Sequence, residues 1–261
     1  MKLTSSLKGK TALITGGGSG IGRAAVIRLA EAGANIVLLD RSPKNSDELV
    51  KEIGENRVMH VKADVSKADE MEKAINEGAA KWGGLDIVFA NAGQNGTFTP
   101  LEHLAPEDWN SVMMTNLTGT FLTLKYSIPY LKKNGGSIII TSSINGTRTF
   151  KNFGFSAYAT TKAGQVGLGK MAAVELAKFK VRVNVICPGA IETNIDESTN
   201  MEDEKLKEIR IPIEYPEGNQ PLAGGSGQPE QVADLVHYLA SDAASHVTGS
   251  VVYVDGVESL L

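Results

Sequence analysis

The run Thr15-Gly16-Gly17-Gly18-Ser19-Gly20-Ile21-Gly22 restricts this chain more than any other stretch of it. It follows an apolar segment, Thr11–Thr15, that reads as a buried strand, and it leads into an amphipathic helical pattern over Ile21–Ala32. Glycine weakens both helix and strand interiors, so a cluster of it between the two belongs to a turn. Such a turn lets another molecule's charged groups approach the backbone closely, and the helix start that follows offers free N–H groups and a positive dipole end. The spacing is GxxxGxG and not the commoner GxGxxG. Placed between the first strand and first helix of a βαβ unit, it reads as a pyrophosphate cradle for a dinucleotide, with Gly16, Ser19, Gly20, Ile21 and Gly22 as the expected contacts.

The rest of the chain continues the alternation. Short β-branched runs at Asn35–Asp40, Val58–Ala63, Leu85–Ala90, Ser137–Thr141, Arg182–Cys187 and Val251–Val254 are separated by helical patterns, among them Glu70–Trp82 and Gln231–Ala240. This predicts an α/β protein, a single doubly wound domain over residues 1–261 with helices on both faces of a parallel sheet. Ile138-Ile139-Ile140 is apolar at every position, as a strand covered on both sides should be. Two patterns, Asp108–Lys132 and Tyr158–Lys178, are longer than the others. In the second, Ala159, Ala163 and Gly167 share one face, smooth enough either for packing on the sheet or for a second subunit. Residues 190–227 break the rhythm with Pro212, Pro216, Pro221 and a charged piece, Met201–Arg210, and read as a substrate lid.

Composition removes several classes of function. Hydrophobic residues are 42% and charged residues 21%, an ordinary globular balance and not that of a disordered chain. A net charge of −4 gives no basic excess to draw nucleic acid or acidic lipid. The one cysteine, Cys187, reads as a small core residue, and the four scattered histidines, His60, His103, His237 and His246, suggest no metal site. Met1–Lys10 lacks a signal-like apolar run, and no stretch approaches the ~20 apolar residues of a membrane span. The expectation is a soluble cytoplasmic protein without metal.

Asp40 ends the second strand, where a carboxylate can accept hydrogen bonds from both adenosine ribose hydroxyls and would repel a 2′-phosphate. NAD is therefore expected over NADP, although Arg41 stands beside it; Ser19 puts no cation in the turn. Tyr158 and Lys162 lie four apart, one turn along a helix face. An ammonium beside a phenol favours phenolate and makes the pair a general acid/base for a hydroxyl or carbonyl. Ser142 and Ser143 at the end of the fifth strand, Asn91-Ala92-Gly93 at the end of the fourth and Pro188-Gly189 at the end of the sixth fall on the sheet edge where such folds bind ligands.

With these residues in order, the chain resembles the short-chain dehydrogenase/reductase family over nearly its whole length. The matching motifs are Thr15–Gly22, Asp64, Asn91-Ala92-Gly93, Asn116, Ser143, Tyr158-xxx-Lys162 and Pro188-Gly189 followed by Thr193. The resemblance implies a Rossmann-type, seven-stranded sheet of order 3-2-1-4-5-6-7. It implies that Tyr158 is the acid/base, that Lys162 binds the nicotinamide ribose and lowers the Tyr158 pKa, and that Ser143 holds the substrate oxygen. Asn116 would hold a water that relays protons to Lys162. Asp64 and Val65 would contact adenine, Asn91, Ala92 and Gly93 would line the cofactor, and Pro188, Gly189, Ile191 and Thr193 would wrap the nicotinamide. Members are often tetramers that pair the Asn116 and Tyr158 helices, so a homotetramer or homodimer is expected. The implied activity is hydride exchange between NAD(P) and a small secondary alcohol or ketone. A 3-oxoacyl-carrier-protein reductase, a sugar or polyol dehydrogenase (suggested by Glu192, Asn194, Asp196 and Glu197) and a non-catalytic NAD-binding sensor stand as alternatives. The chain departs from the family in three places. Ser143 and Tyr158 are fifteen residues apart, about two more than the pattern, with Arg148, Phe150, Lys151, Phe153 and Phe155 between them. Ala90 stands where Asn is frequent, and Val257 where Gly is usual.

Overall fold

The computed structural model describes residues 6–211 and 220–261; Met1–Ser5 and residues 212–219, including Pro212 and Pro216 of the expected lid, lie outside the described residues. Seven strands form one parallel sheet: β1 (Thr11–Thr15), β2 (Asn35–Asp40), β3 (Val58–Lys62), β4 (Ile87–Ala90), β6 (Gly136–Thr141), β7 (Val181–Pro188) and β9 (Val251–Val254). Two short strands, β5 (Gly96–Phe98) and β8 (Thr199–Met201), pair in parallel as a separate ribbon. The large sheet runs β3-β2-β1-β4-β6-β7-β9, which is the expected 3-2-1-4-5-6-7 once the two ribbon strands are set aside. The order reverses beside β1, so the connections leaving the carboxyl ends of β1 and β4 turn to opposite faces of the sheet and leave a crevice between them.

Period-two alternation explains the layers. Leu13, Val37, Leu39, Val88, Ile138 and Ile140 face one core; Ala12, Ile14, Ile36, Leu38, Phe89 and Ile139 face the other. The first face is covered by α3 (Ala68–Trp82), α5 (Gly119–Asn134) and α6 (Ser156–Leu176), the second by α1 (Gly20–Glu31), α2 (Pro43–Ile53) and α8 (Pro229–Ala240). Each fully buried Leu, Ile or Phe contributes about 1.5–3 kcal/mol. Helix starts carry their own signals: Pro43 and Pro229 sit in first turns, and Gln231 accepts the Gln228 N–H at 2.8 Å. Gly169 of α6 lies where a Cβ would stand 2.5 Å from Val185, so glycine there permits close packing on β7. Ala159 packs against Gly146, but a Cβ on Gly167 would meet nothing within 4 Å and Ala163 is exposed, so the smooth face of α6 is open at those two positions.

One expectation is revised. The long Asp108–Lys132 pattern is α4 (Pro106–Val112) and α5 joined through a π-helical turn, Met113–Thr118. Its buried Asn116 has a carbonyl bonded by the Thr120 hydroxyl at 2.7 Å and the Gln165 amide at 2.9 Å, side-chain donors that stabilise the widened turn. Within residues 190–227, the part described is ordered structure: a 3₁₀ turn (Asn194–Ser198), β8 and α7 (Asp203–Ile209). Its two ends are pinned together by Glu192 N–H to Gly227 O and Gly227 N–H to Ala190 O, both 2.9 Å. Among the described residues, no helix is long and apolar enough to cross a membrane.

Candidate active site

The glycine turn is held from below by three neighbours. Thr15 Oγ1 accepts the N–H groups of Asn91 and Ala92 at 3.0 and 3.1 Å, and Asn91 accepts the Thr141 hydroxyl at 3.1 Å. The carboxyl ends of β1, β4 and β6 are thus tied together. Gly16 and Gly20 have φ of +66° and +48°, left-handed conformations that favour glycine, and a Cβ on Gly22 would stand 1.9 Å from the Gly16 carbonyl. The turn is therefore bare backbone at the mouth of α1, and it fits a pyrophosphate.

Above it opens a cleft of about 870 Å³. Of the expected cofactor and catalytic residues, Gly16, Ser19, Gly20, Ile21, Asn91, Ala92, Gly93, Ser143, Tyr158, Lys162, Pro188, Gly189, Ile191 and Thr193 line it. Thr193 closes over the turn, within 3.0 Å of where a Gly20 Cβ would be. Gly22 lies beneath the turn. Asp40 touches the turn from behind: its carboxylate accepts the Gly18 N–H at 3.0 Å and the Ser42 N–H at 2.9 Å. Arg41 and Asp64 form an ion pair at 4.0 Å, with Arg41 64% exposed. Burial raises the Asp64 carboxyl, but the Ser66 N–H and hydroxyl, with Arg41 and Lys67 nearby, outweigh it and hold it below the ordinary value. Val65 is buried where a Cβ on Gly119 would touch it. Asn116 is fully buried and does not line the cleft. Its Oδ1 accepts the Gln94 N–H at 2.8 Å, and its Nδ2 donates to Gln94 O at 2.9 Å and to Thr161 at 3.2 Å. It fixes the backbone that carries Gly93 against Lys162.

Tyr158, Lys162 and Ser143 meet at the cleft floor. Tyr158 is hydrogen-bonded to Ser143, and Lys162 Nζ stands 5.2 Å from the Tyr158 ring centre and donates to Thr141 O at 3.1 Å. One such bond leaves two ammonium N–H groups for ligand hydroxyls. The expected lowering of the Tyr158 pKa by Lys162 is not found. Burial pushes the phenol up to about 12 despite the Ser143 bond, and burial also draws the Lys162 ammonium down to about 8. Desolvation is the largest influence on both groups. Cys187 lies behind them, buried, its thiol pushed up by burial.

Sequence reading missed several cleft residues. Asn95 is buried and donates to Asp196 at 3.4 Å and to Thr199 at 2.8 Å, while its N–H donates to Ser198 at 3.0 Å. Phe98 and Phe155 line the cleft, and so does Glu258, a buried carboxylate that accepts the Ala190 N–H at 2.8 Å. Phe155 falls within the long Ser143–Tyr158 connection noted above, but nothing local in the sequence marks Asn95, Phe98 or Glu258, because each acts through segments distant along the chain. Folding also gathers Glu102, His103 and Glu208, all exposed, with ligand atoms within 4.8 Å of one another, a grouping that linear spacing did not show.

Comparison with known proteins gives a consistent picture. A family model described as enoyl-(acyl carrier protein) reductase matches residues 16–256. A 3-oxoacyl-[acyl-carrier-protein] reductase of Thermotoga maritima is 36% identical over 253 residues, covering 96% of this chain and 98% of that protein. A cyclohexanol dehydrogenase of an Acinetobacter species is 36% identical over 258 residues, 97% of this chain and 96% of that one. Among solved structures, a 3-ketoacyl-ACP reductase from Sinorhizobium meliloti superposes with a TM-score of 0.89 at 45% identity, covering 96% of this chain and 99% of that one.

Proposed function

This chain belongs to the short-chain dehydrogenase/reductase family of NAD(P)-dependent oxidoreductases acting on CH–OH groups, and we propose that it interconverts a small, uncharged secondary alcohol and its ketone, with NAD preferred. The observation that carries this reading is the meeting of Ser143, Tyr158 and Lys162 in one cleft with the bare glycine turn. The nucleotide would lie along Gly16, Ser19, Gly20, Ile21 and Gly22, with Asp40 and Arg41 toward its adenosine ribose and Asp64 and Val65 toward adenine. Asn91, Ala92, Gly93, Lys162, Pro188, Gly189, Ile191 and Thr193 would hold its nicotinamide half. When bound, it supplies or accepts the hydride.

The chain's own groups manage the proton. A phenol near 12 is protonated at neutral pH, so Tyr158 is ready to donate to an oxygen that gains negative charge as a ketone is reduced. Ser143 donates to the same oxygen, and the two donors stabilise charge where it develops. In oxidation Tyr158 must first lose its proton. The Lys162 charge, retained below about pH 8, and the Ser143 bond favour that step. Asn116 holds the Gly93–Gln94 backbone over Lys162. Its carbonyl already accepts two side-chain donors, so a relay water at that atom would share it with them.

Residues 190–227 would act as the lid. Glu192, Asp196, Glu197 and Glu258 line the cleft, and Lys162 is the sole Lys or Arg among its lining residues. Such a wall suits a neutral substrate and repels carboxylates and phosphates. A second reading, reduction of a carrier-bound 3-oxoacyl group, is favoured by the 45% identity to the Sinorhizobium protein. The acidic cleft is less suited to an acidic carrier. A homotetramer or homodimer built on α6 is supported by the unused face at Ala163 and Gly167 and by exposed Met171 (58%) and Val174 (74%); light scattering tests it. A reducing, cytoplasmic setting would suit the free Cys187.

Tyr158→Phe tests the mechanism. Turnover of alicyclic ketones with NADH should fall at least ~10²-fold while NADH binding stays within twofold. Unchanged turnover removes Tyr158 from the reaction.

A further inference from the structure

Three segments far apart in sequence interlock beside the catalytic phenol. Phe155, at the start of α6, stacks on Tyr158 with ring centres 4.1 Å apart and planes within 1°. Phe98, in β5, packs on Phe155 at 4.0 Å and 45°. All three rings are wholly or mostly shielded from solvent. Phe98 is itself clamped between the lid and the long Ser143–Tyr158 connection. On one side, β8 pairs with β5 from Gly96 against Thr199 to Phe98 against Met201, and the Glu202 N–H donates to Phe98 O at 3.1 Å. On the other, the Thr99 N–H donates to Gly154 O at 3.3 Å, and a Cβ on Gly154 would stand 2.5 Å from Leu206 of α7.

We propose that Phe155 is a positioning residue for Tyr158, and that the Phe98–Phe155 pair transmits the seating of the lid ribbon to the catalytic ring. The inference rests on the reading of Tyr158 as the acid/base. A stacked neighbour resists tilting of the ring it covers and so biases one ring orientation over another. Tyr158 has one hydrogen bond partner at its tip, Ser143; the stack fixes the plane of its ring. When β8 leaves β5, Phe98 loses one wall, Phe155 loses its backing, and the phenol is free to tilt and hydrate. The lid therefore acts on the proton donor as well as enclosing the substrate.

The test uses the full-length protein with Phe155→Leu, Phe155→Tyr and Phe98→Leu, assayed on one alcohol–ketone pair that the unaltered protein turns over. For Phe155→Leu, kcat should fall at least ~10-fold while NADH binding stays within twofold, since the nucleotide cradle is untouched. The rise of kcat/KM with pH in alcohol oxidation should move to lower pH by about half a unit or more, because a more hydrated phenol ionises more easily. Phe155→Tyr keeps the stack and should restore kcat to within threefold. Phe98→Leu should shift the pH profile in the same direction by a smaller amount. A Phe155→Leu protein with unchanged kcat, or with reduced kcat and an unmoved pH profile, overturns the proposal. So does Phe155→Tyr failing as fully as Phe155→Leu. If Phe155→Leu does not fold, Phe98→Leu decides alone by the same pH criterion. Loss of all turnover in Tyr158→Phe with normal response of Phe155→Leu would sink only the stack; retained turnover in Tyr158→Phe would sink the acid/base reading itself.

Discussion

Lys162→Met should make the nucleotide-free protein more stable while it destroys activity. Lys162 is 2% exposed, and burial draws its pKa from the ordinary 10.5 to about 8. At 1.36 kcal/mol per pH unit, that displacement costs the folded state about 3 kcal/mol at neutral pH. Methionine fills the same channel with an uncharged chain and removes that cost. It also strands the Thr141 carbonyl, which accepts the ammonium at 3.1 Å, at about 1 kcal/mol. The net gain is about 2 kcal/mol, which for a chain of this size raises Tm by about 4–8 °C. The sign of the pH dependence follows from a folded pKa below the unfolded one. Below about pH 8 the penalty is present in full, because the unfolded chain binds the proton more readily. As pH rises from about 8 toward 10.5 the folded lysine is neutral, and the penalty disappears. Calorimetry of both proteins at pH 7 and pH 9.5 measures the gap, staying below the range where the Tyr158 phenol, with its folded pKa near 12, would begin to count against the folded state. A variant less stable than the parent at pH 7, or a gap that fails to narrow at pH 9.5, refutes the reasoning.

Other consequences are simpler. Gly22→Ala places a methyl 1.9 Å from the Gly16 carbonyl and should weaken NADH binding at least ~10-fold by fluorescence titration; unaltered affinity would separate the turn from the nucleotide. Asp40→Ala removes the acceptor behind Gly18 and should reduce the preference for NADH over NADPH at least ~10-fold, whereas equal losses for both would remove Asp40 from the choice. Asn95→Ala cuts two side-chain bonds to the 196–199 segment and should raise KM for substrate several-fold with faster proteolysis there; an unchanged digestion pattern would show that the ribbon holds without it.

The sheet was readable because its strands are apolar on both sides and punctuated by helix patterns; all seven were placed, with ends adjusted by a residue or two at Ala63, Leu85, Ser137, Arg182 and Cys187. The glycine turn and the Tyr158–Lys162 pair were readable because each works through local spacing. What could not be read was whatever depends on distant segments. β5 and β8 are three residues each, too short for a periodic signal, and exist only because each finds the other. The π turn breaks a helix pattern without glycine or proline in it, since its cause is the pair of side-chain donors that meet Asn116. The raised Tyr158 value depends on total burial, which the Tyr-to-Lys spacing does not encode. Val257, noted where glycine is usual, has φ of +79°, a conformation unfavourable for a branched side chain.

The six-residue π turn also governs how this helix can change over time. It carries one surplus residue relative to a plain α-helical path. Losing a single residue within Met113–Thr118 would let the helix close into regular pitch while Leu122, Leu124 and Leu131 downstream kept their places in the core, because the widened turn confines the extra residue to itself. What such a loss would remove is the opened Asn116 carbonyl that meets the Thr120 hydroxyl and the Gln165 amide. The length of this segment is therefore tied to the cleft wall it shapes and not to the core it crosses.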